Sequence, residues 1–322
     1  FGDLVTCESW ANLPLNEAFA TYSEYLWAEY KYGADEADYI LQNELKNYLY
    51  EARRKQVPLI RYHYRSKGSM FDGHTYAKGS TILHMLRKYV GDDAFFESLK
   101  LYLHTHKFTD VEIHDLRITF EQVTGEDLNW FFNQWFFSPG HPVIRVEHQF
   151  AASNGTLILK IWQNQDSANT PIYRLPLAVD IWVDGKKQRH EIEITKVYQE
   201  FEFEVAEVPD LVLFDGEQQL TGEIIHPKST DELIFQYYNS DKYLARDEAI
   251  KLALPPPNDR HDISSFSRNV MSKSQKRYDI SHGIDNPDIR AMIVKALNDR
   301  FWRLRKIAVS FFKDYSGEDA PV

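Results

Sequence analysis

One short segment limits the possible folds of this chain more than any other. At Ser138-Pro139-Gly140-His141-Pro142 the hydrophobic repeat changes from 3.6 residues to two. Two prolines and a glycine cannot continue a helix, so a helical unit must end there and sheet structure must follow. From Leu13 to about Phe137 apolar residues fall three or four apart, as at Leu15, Phe19, Tyr22 and Leu26, the stripe of a helix with one buried face. Pro14 suits the first turn of that helix. Further helices are expected over 35–54, 76–90, 93–104, 111–123 and 128–137, the fourth opening on a Thr109 and Glu112 capping pair.

Beyond the break, residues 143–150, 156–162, 175–183, 188–194, 200–205 and 211–214 read as strands rich in Ile, Val, Phe and Trp. Asn154-Gly155, Asp184-Gly185 and Asp215-Gly216 supply turn signals between them. Short strands at this spacing predict a small β-sandwich. After His226-Pro227 the helical period returns. The stretch Asp241 to Arg246, followed by Ala249-Ile250, resembles Asp299 to Arg305, followed by Ala308-Val309. This is the pattern of second helices in HEAT-like repeats. Their separation exceeds the usual period of about 40–47 residues, so an insertion around Pro255-Pro256-Pro257 is expected. The expected organisation is multidomain α+β: helices over 1–140, a β-sandwich over 141–227 and a HEAT-like α-helical segment over 228–322.

Composition removes several function classes. No stretch approaches the roughly 20 apolar residues of a membrane span. With 37 basic against 48 acidic residues the net charge is −11, which repels a phosphate backbone, so no nucleic-acid partner is expected. Cys7 is the only cysteine, so the chain can form no internal disulfide, and any metal must rest on histidines and carboxylates. The opening Phe1-Gly2-Asp3-Leu4 has neither Met nor a targeting pattern and reads as the interior of a longer protein. The compartment, cytoplasmic or periplasmic, stays open.

Taken alone, Glu17 is a carboxylate in the first turn of a helix, where the helix dipole favours it. Tyr76 is an aromatic at the start of another helix, with Leu83 and Leu86 on its side, the usual mark of a core residue. His104 and His106, two apart, point to different helix faces. No zinc site closes from these residues.

Their neighbourhoods carry more. Phe1-Gly2-Asp3-Leu4-Val5-Thr6, then Trp10, then Leu15-Asn16-Glu17-Ala18-Phe19-Ala20 with Tyr22, resembles the M1 family of zinc aminopeptidases. In that family a zinc-binding HExxH helix precedes Phe-Gly-Asp. Eighteen residues then separate its second histidine from a glutamate in a Trp-Leu-Asn-Glu-Gly-Phe-Ala segment. With two residues between that histidine and Phe1, the spacing lands on Glu17. Phe71-Asp72 with Thr75-Tyr76-Ala77-Lys78-Gly79 is similar to the family's Tyr-x-Lys-Gly-Ala helix, and Trp135 with Pro139-Gly140-His141-Pro142 to its exit from the catalytic domain. Ala18, Ser80 and Pro14 depart from the family's usual Gly, Ala and Trp.

The resemblance implies the helical C-terminal half of a thermolysin-like (gluzincin) catalytic domain, with zinc as cofactor and peptides bearing a free N-terminus as substrates. It implies Glu17 as third zinc ligand and Tyr76 as hydrogen-bond donor to the oxyanion. The HExxH base and histidines, and the Gly-x-Met-Glu-Asn strand, are absent from these residues. The chain by itself is therefore expected to be inactive, and faces uncovered by the missing half are expected to favour self-association. Two other roles within the same resemblance are an epoxide hydrolase of the leukotriene-hydrolase type and a non-catalytic scaffold.

Overall fold

A computed structural model of the protein describes residues 1–254 and 286–312. Helix α1 (Pro14–Tyr32) has Pro14 in its first turn and buries Leu15, Ala18, Phe19, Tyr22 and Tyr25. It turns into α2 (Ala34–Ala52) through Gly33, whose φ of 90° a side chain would strain. Helix α3 (Gly79–Val90) is buried along its first nine residues, Gly79 to Arg87. Helices α4 (Asp92–Thr105), α5 (Ile113–Thr124) and α6 (Asn129–Trp135) share its core through Phe95, Leu116 and Phe131.

Two expectations need correction here. Helix α5 begins at Ile113, not at 111, because Asp110–Val111 (β2) pairs in parallel with Thr6–Cys7 (β1). Its cap is Glu112 with Asp115: the Glu112 N–H donates to the Asp115 carboxylate at 2.8 Å, while the Thr109 hydroxyl donates to the His106 carbonyl. Likewise Tyr76 does not start α3. It sits in a wider turn over His74–Lys78, in which the Gly73 carbonyl accepts from both Ala77 and Lys78.

Strands β3 (Val143–Ala151), β4 (Thr156–Gln163), β7 (Tyr198–Glu204) and β9 (Glu223–Ile225) form one sheet in the order β7-β4-β3-β9. Strands β5 (Leu175–Val183), β6 (Lys186–Ile194) and β8 (Leu211–Phe214) form the other, in the order β6-β5-β8. Ile144, Leu159 and Ile161 of the first share a core with Leu177, Val179 and Phe214 of the second, so the sheets face each other as a sandwich. Strand β4 alternates buried and half-buried residues, as a one-sided strand must. Strand β5 is buried almost throughout, because Trp182 on its outer side is covered by Ala245 and Phe235. The same core continues into the helices, with Trp135 against Tyr173 at 4.8 Å.

Beyond the sheets lie α7 (Thr230–Asn239), α8 (Tyr243–Ala253), α9 (Pro287–Ala296) and α10 (Trp302–Phe312). The two similar segments meet: Tyr243 packs on Phe301 at 4.8 Å, and the Arg246 guanidinium reaches Asp299 at 3.1 Å. The proline-rich insertion lies outside the described residues. Charged pairs tie these helices to the rest. Arg246 also meets Asp35 of α2, and Glu217 gathers Lys88 of α3, Arg189 of β6 and Lys242. Against the cost of partial burial, those three cations hold the Glu217 carboxyl down at about 2.

Helix α7 carries a full capping box: the Ser229 hydroxyl accepts from the Glu232 N–H, and the Glu232 carboxylate accepts from the Ser229 N–H. Ser229→Ala should lower stability by about 1 kcal/mol, read as an earlier urea midpoint with unchanged slope. No described helix is long and apolar enough to cross a membrane.

Candidate active site

A close crossing of two helices positions the two residues singled out in the sequence. A Cβ built on Gly79 would stand 2.5 Å from the Ala18 Cβ, so α1 and the start of α3 touch with nothing between them. Glu17 directly precedes Ala18, and Tyr76 lies one turn before Gly79. The crossing thus brings both side chains to one place. Both are half-buried. Partial burial first, and the facing Glu17 carboxylate second, raise the Tyr76 phenol above its ordinary value. Among the described residues no basic side chain pairs with Glu17.

The chain before α1 wraps over its first turn. Asn16 accepts the Cys7 N–H through its side-chain oxygen at 3.1 Å, and Phe1 stacks on Phe19 at 4.3 Å. Gly2, at φ 85°, passes beside Asn16. On the open side, Trp10 meets Phe71 at 5.8 Å and Phe71 meets Tyr76 at 6.4 Å, both indole and phenyl exposed, an aromatic wall next to the phenol.

The turn that carries Tyr76 is braced from several directions. The Asp72 carboxylate accepts the Thr75 N–H at 2.9 Å and both terminal nitrogens of the Arg61 guanidinium at 2.7 and 3.2 Å, and it also takes Lys55. Burial opposes ionisation, but Arg61 and Lys55 hold the carboxyl down at about 2. His74, fully buried, meets Glu51 through Nδ1 at 3.0 Å, and burial pushes its pKa down to about 4. Lys78 is buried too. Its ammonium donates to the Gly140 carbonyl at 2.8 Å, and desolvation lowers it to about 7.

Glu51, Asp72 and His74 place ligand atoms within 4.8 Å of one another, the spacing of a metal site. Lys55 and Arg61 already stand against those carboxylates, so the group works as an ion-paired brace and not as a cation cage. Among the described residues Glu17 belongs to no such group of three. The sequence reading quoted Asp72 and Lys78 only as parts of the motif around Tyr76 and passed over Glu51, Lys55 and Arg61. Only Asp72, three residues before Thr75, had a local signal, that of a side chain able to cap a helical turn. Glu51 and Arg61 are distant in the chain.

Residues 1–135 match the family model described as Peptidase family M1 domain. An Aminopeptidase N of Streptomyces lividans is 35% identical over 155 residues, which are 46% of this chain and 18% of that protein. A Probable aminopeptidase 1 of Sulfurisphaera tokodaii is 29% identical over 217 residues, 65% of this chain and 26% of that protein. The chain thus spans a fifth to a quarter of the length of these relatives. The crystal structure of Legionella pneumophila aminopeptidase A in complex with aspartic acid shares the fold over 93% of this chain and 32% of that one, with a TM-score of 0.70 at 19% identity. The family resemblance thus rests on the first 135 residues, which match the peptidase family M1 domain.

Proposed function

We propose that this chain forms part of a zinc-dependent aminopeptidase that removes residues from the free N-terminus of peptides, with Glu17 as a zinc ligand and Tyr76 as an oxyanion donor. One observation carries the reading: a half-buried carboxylate, without a basic partner among the described residues, faces a half-buried phenol across the Ala18 and Gly79 crossing. A carboxylate left unpaired in a half-buried site fits a cation that is to be added. A phenol that keeps its proton fits a donor.

The donor set also sets a limit. A catalytic zinc takes three protein ligands, and among the described residues Glu17 stands at the site without a second ligand. The proposal therefore includes two histidine ligands and a base supplied by an HExxH helix outside these residues. It also includes inactivity of the 322 residues by themselves. Zinc, when bound, supplies an activated water and polarises the scissile carbonyl. Glu17 contributes an anionic oxygen held rigidly by the first turn of α1. Tyr76 directs its O–H to the carbonyl oxygen as negative charge builds there, and the wide turn under it fixes that direction. The exposed Trp10 and Phe71 beside the site give the isolated chain an apolar face for self-association.

The test is metal analysis together with a chromogenic aminoacyl substrate. In the longer protein, Glu17→Gln should lose at least about 10-fold in zinc affinity, and activity with it. A protein that keeps full zinc after this change would end the ligand assignment. Stoichiometric zinc with turnover in the present chain alone would end the claim of inactivity.

A further inference from the structure

Strands β6, β7, β8 and β9 lie at the edges of the two sheets, and three of them are poor templates for a further strand. Strand β9 is 3 residues long, and β8 is buried along its whole length. Strand β6 mixes Lys186, Lys187 and Arg189 with Glu191 and Glu193, and its Lys187 and Arg189 already pair with Asp180. Shortness, cover and mixed charge are the usual means of blunting an edge. Strand β7 differs. It runs 7 residues with β4 on one side and no described strand on the other.

The register fixes which backbone groups of β7 are free. Strands β4 and β7 pair antiparallel without interruption, from Thr156 opposite Glu204 to Trp162 opposite Tyr198. At the two ends the Gln163 N–H donates to the Val197 carbonyl at 2.8 Å, and the Val205 N–H to the Gly155 carbonyl at 2.9 Å. Bonds in such a ladder fall on every second residue. Gln199, Phe201 and Phe203 therefore turn their backbone groups to β4, while Tyr198, Glu200, Glu202 and Glu204 turn theirs outward. The side chains divide the same way: Tyr198, Glu200, Glu202 and Glu204 are exposed, and Gln199, Phe201 and Phe203 are half-buried. Glu200 takes the Tyr198 hydroxyl, but Glu202 and Glu204 have no basic partner among the described residues. A second copy of the chain is a poor occupant, because β7 against β7 sets these glutamates opposite one another, and like charges destabilise a cross-strand pair.

We propose that the free edge of β7 takes up an extended segment of a partner protein in which Lys or Arg alternates with apolar residues. The segment continues the ladder through the outward backbone groups of Tyr198, Glu200, Glu202 and Glu204, and these main-chain bonds supply the affinity. Its basic side chains lie beside Glu200, Glu202 and Glu204. Directly opposite residues stand about 5 Å apart, within reach of an ion pair. Its apolar side chains point to the other face and cover what β4 leaves open of Phe201 and Phe203. The alternation of β7 thus sets the alternation of the partner.

A fluorescein-labelled Thr-Lys-Val-Lys-Val-Lys-Thr peptide, titrated against the full chain and followed by anisotropy, tests the edge. Binding should saturate with a Kd of about 100 μM and weaken several-fold as salt rises toward about 1 M. On saturation the amides of Tyr198, Glu200, Glu202 and Glu204 should exchange more slowly with solvent. A peptide with Glu for Lys should not bind, nor should one with Pro for Val, which keeps the charge but cannot extend a ladder. Glu202→Pro removes an outward N–H and no bond to β4, a position where a strand tolerates proline, and should weaken binding about 10-fold or more. Glu202→Lys, which reverses the charge and keeps the N–H, should weaken it by a similar factor. The proposal is overturned by absence of saturation with the alternating peptide or by equal binding of the proline peptide. Unchanged affinity in either folded variant would overturn it as well, as would a dimer of the chain that Glu202→Pro dissociates, since the edge would then belong to a second copy.

Discussion

Asp72→Ala should destabilise the protein by about 3–5 kcal/mol, the cost of leaving one partner of a buried ion pair alone. Asp72 and Arg61 are both nearly buried, at 7% and 8% side-chain exposure, so water cannot take over the lost interaction. The change also frees the Thr75 N–H and the Lys55 ammonium. The sign of the pH dependence follows from the depressed folded value of about 2. The Asp72 contribution is complete above the unfolded carboxyl value of about 3.9 and is lost as pH falls through the folded one. Urea denaturation should therefore show the full gap between wild type and variant at about pH 7, and a shrinking one below about pH 4. A gap under about 1 kcal/mol at neutral pH would mean that the brace contributes little. Asp72→Asn, which keeps an acceptor for Thr75, should fall between the two.

Tyr76→Phe should reduce turnover about 10²- to 10³-fold in a form of the protein that carries the complete zinc site. Phenylalanine keeps the ring against Phe71 and removes only the hydroxyl. Its effect should therefore fall on kcat, with zinc content and KM nearly unchanged. This separates the two proposed roles, since Glu17→Gln should remove the metal itself. Loss of zinc in Tyr76→Phe, or a rise in KM with kcat preserved, would show that the phenol binds or supports and does not stabilise the oxyanion.

Much of the secondary structure was legible because it is local. The period break at 138–142 separates the helices ending at Trp135 from the strands beginning at Val143, and β5 and β8 fall where alternation and β-branched residues put them. What escaped depends on partners far away in sequence. A two-residue strand at Asp110 carries no period of its own and forms because Thr6 and Cys7 lie beside it. The wide turn at His74–Lys78 departs from the regular helix expected there, and Arg61, Lys55 and Glu51 hold it from outside.

The candidate site divides in the same way. By position alone Glu17 was a helix-start carboxylate and Tyr76 a core aromatic, and only resemblance of the surrounding motifs raised them above that. The structure leaves Tyr76 half-buried instead of enclosed, and sets it against Glu17. The reason, Gly79 on Ala18, is a contact across distant residues that no local pattern reports.

The most direct test is the ionisation of Tyr76, followed by NMR on the chain with ¹³C-labelled tyrosine. If Glu17 and Tyr76 share one site, Glu17→Gln removes the facing negative charge and lowers the Tyr76 pKa toward its ordinary value. A Tyr76 titration unmoved by Glu17→Gln in a folded protein would place the two groups apart and contradict the account.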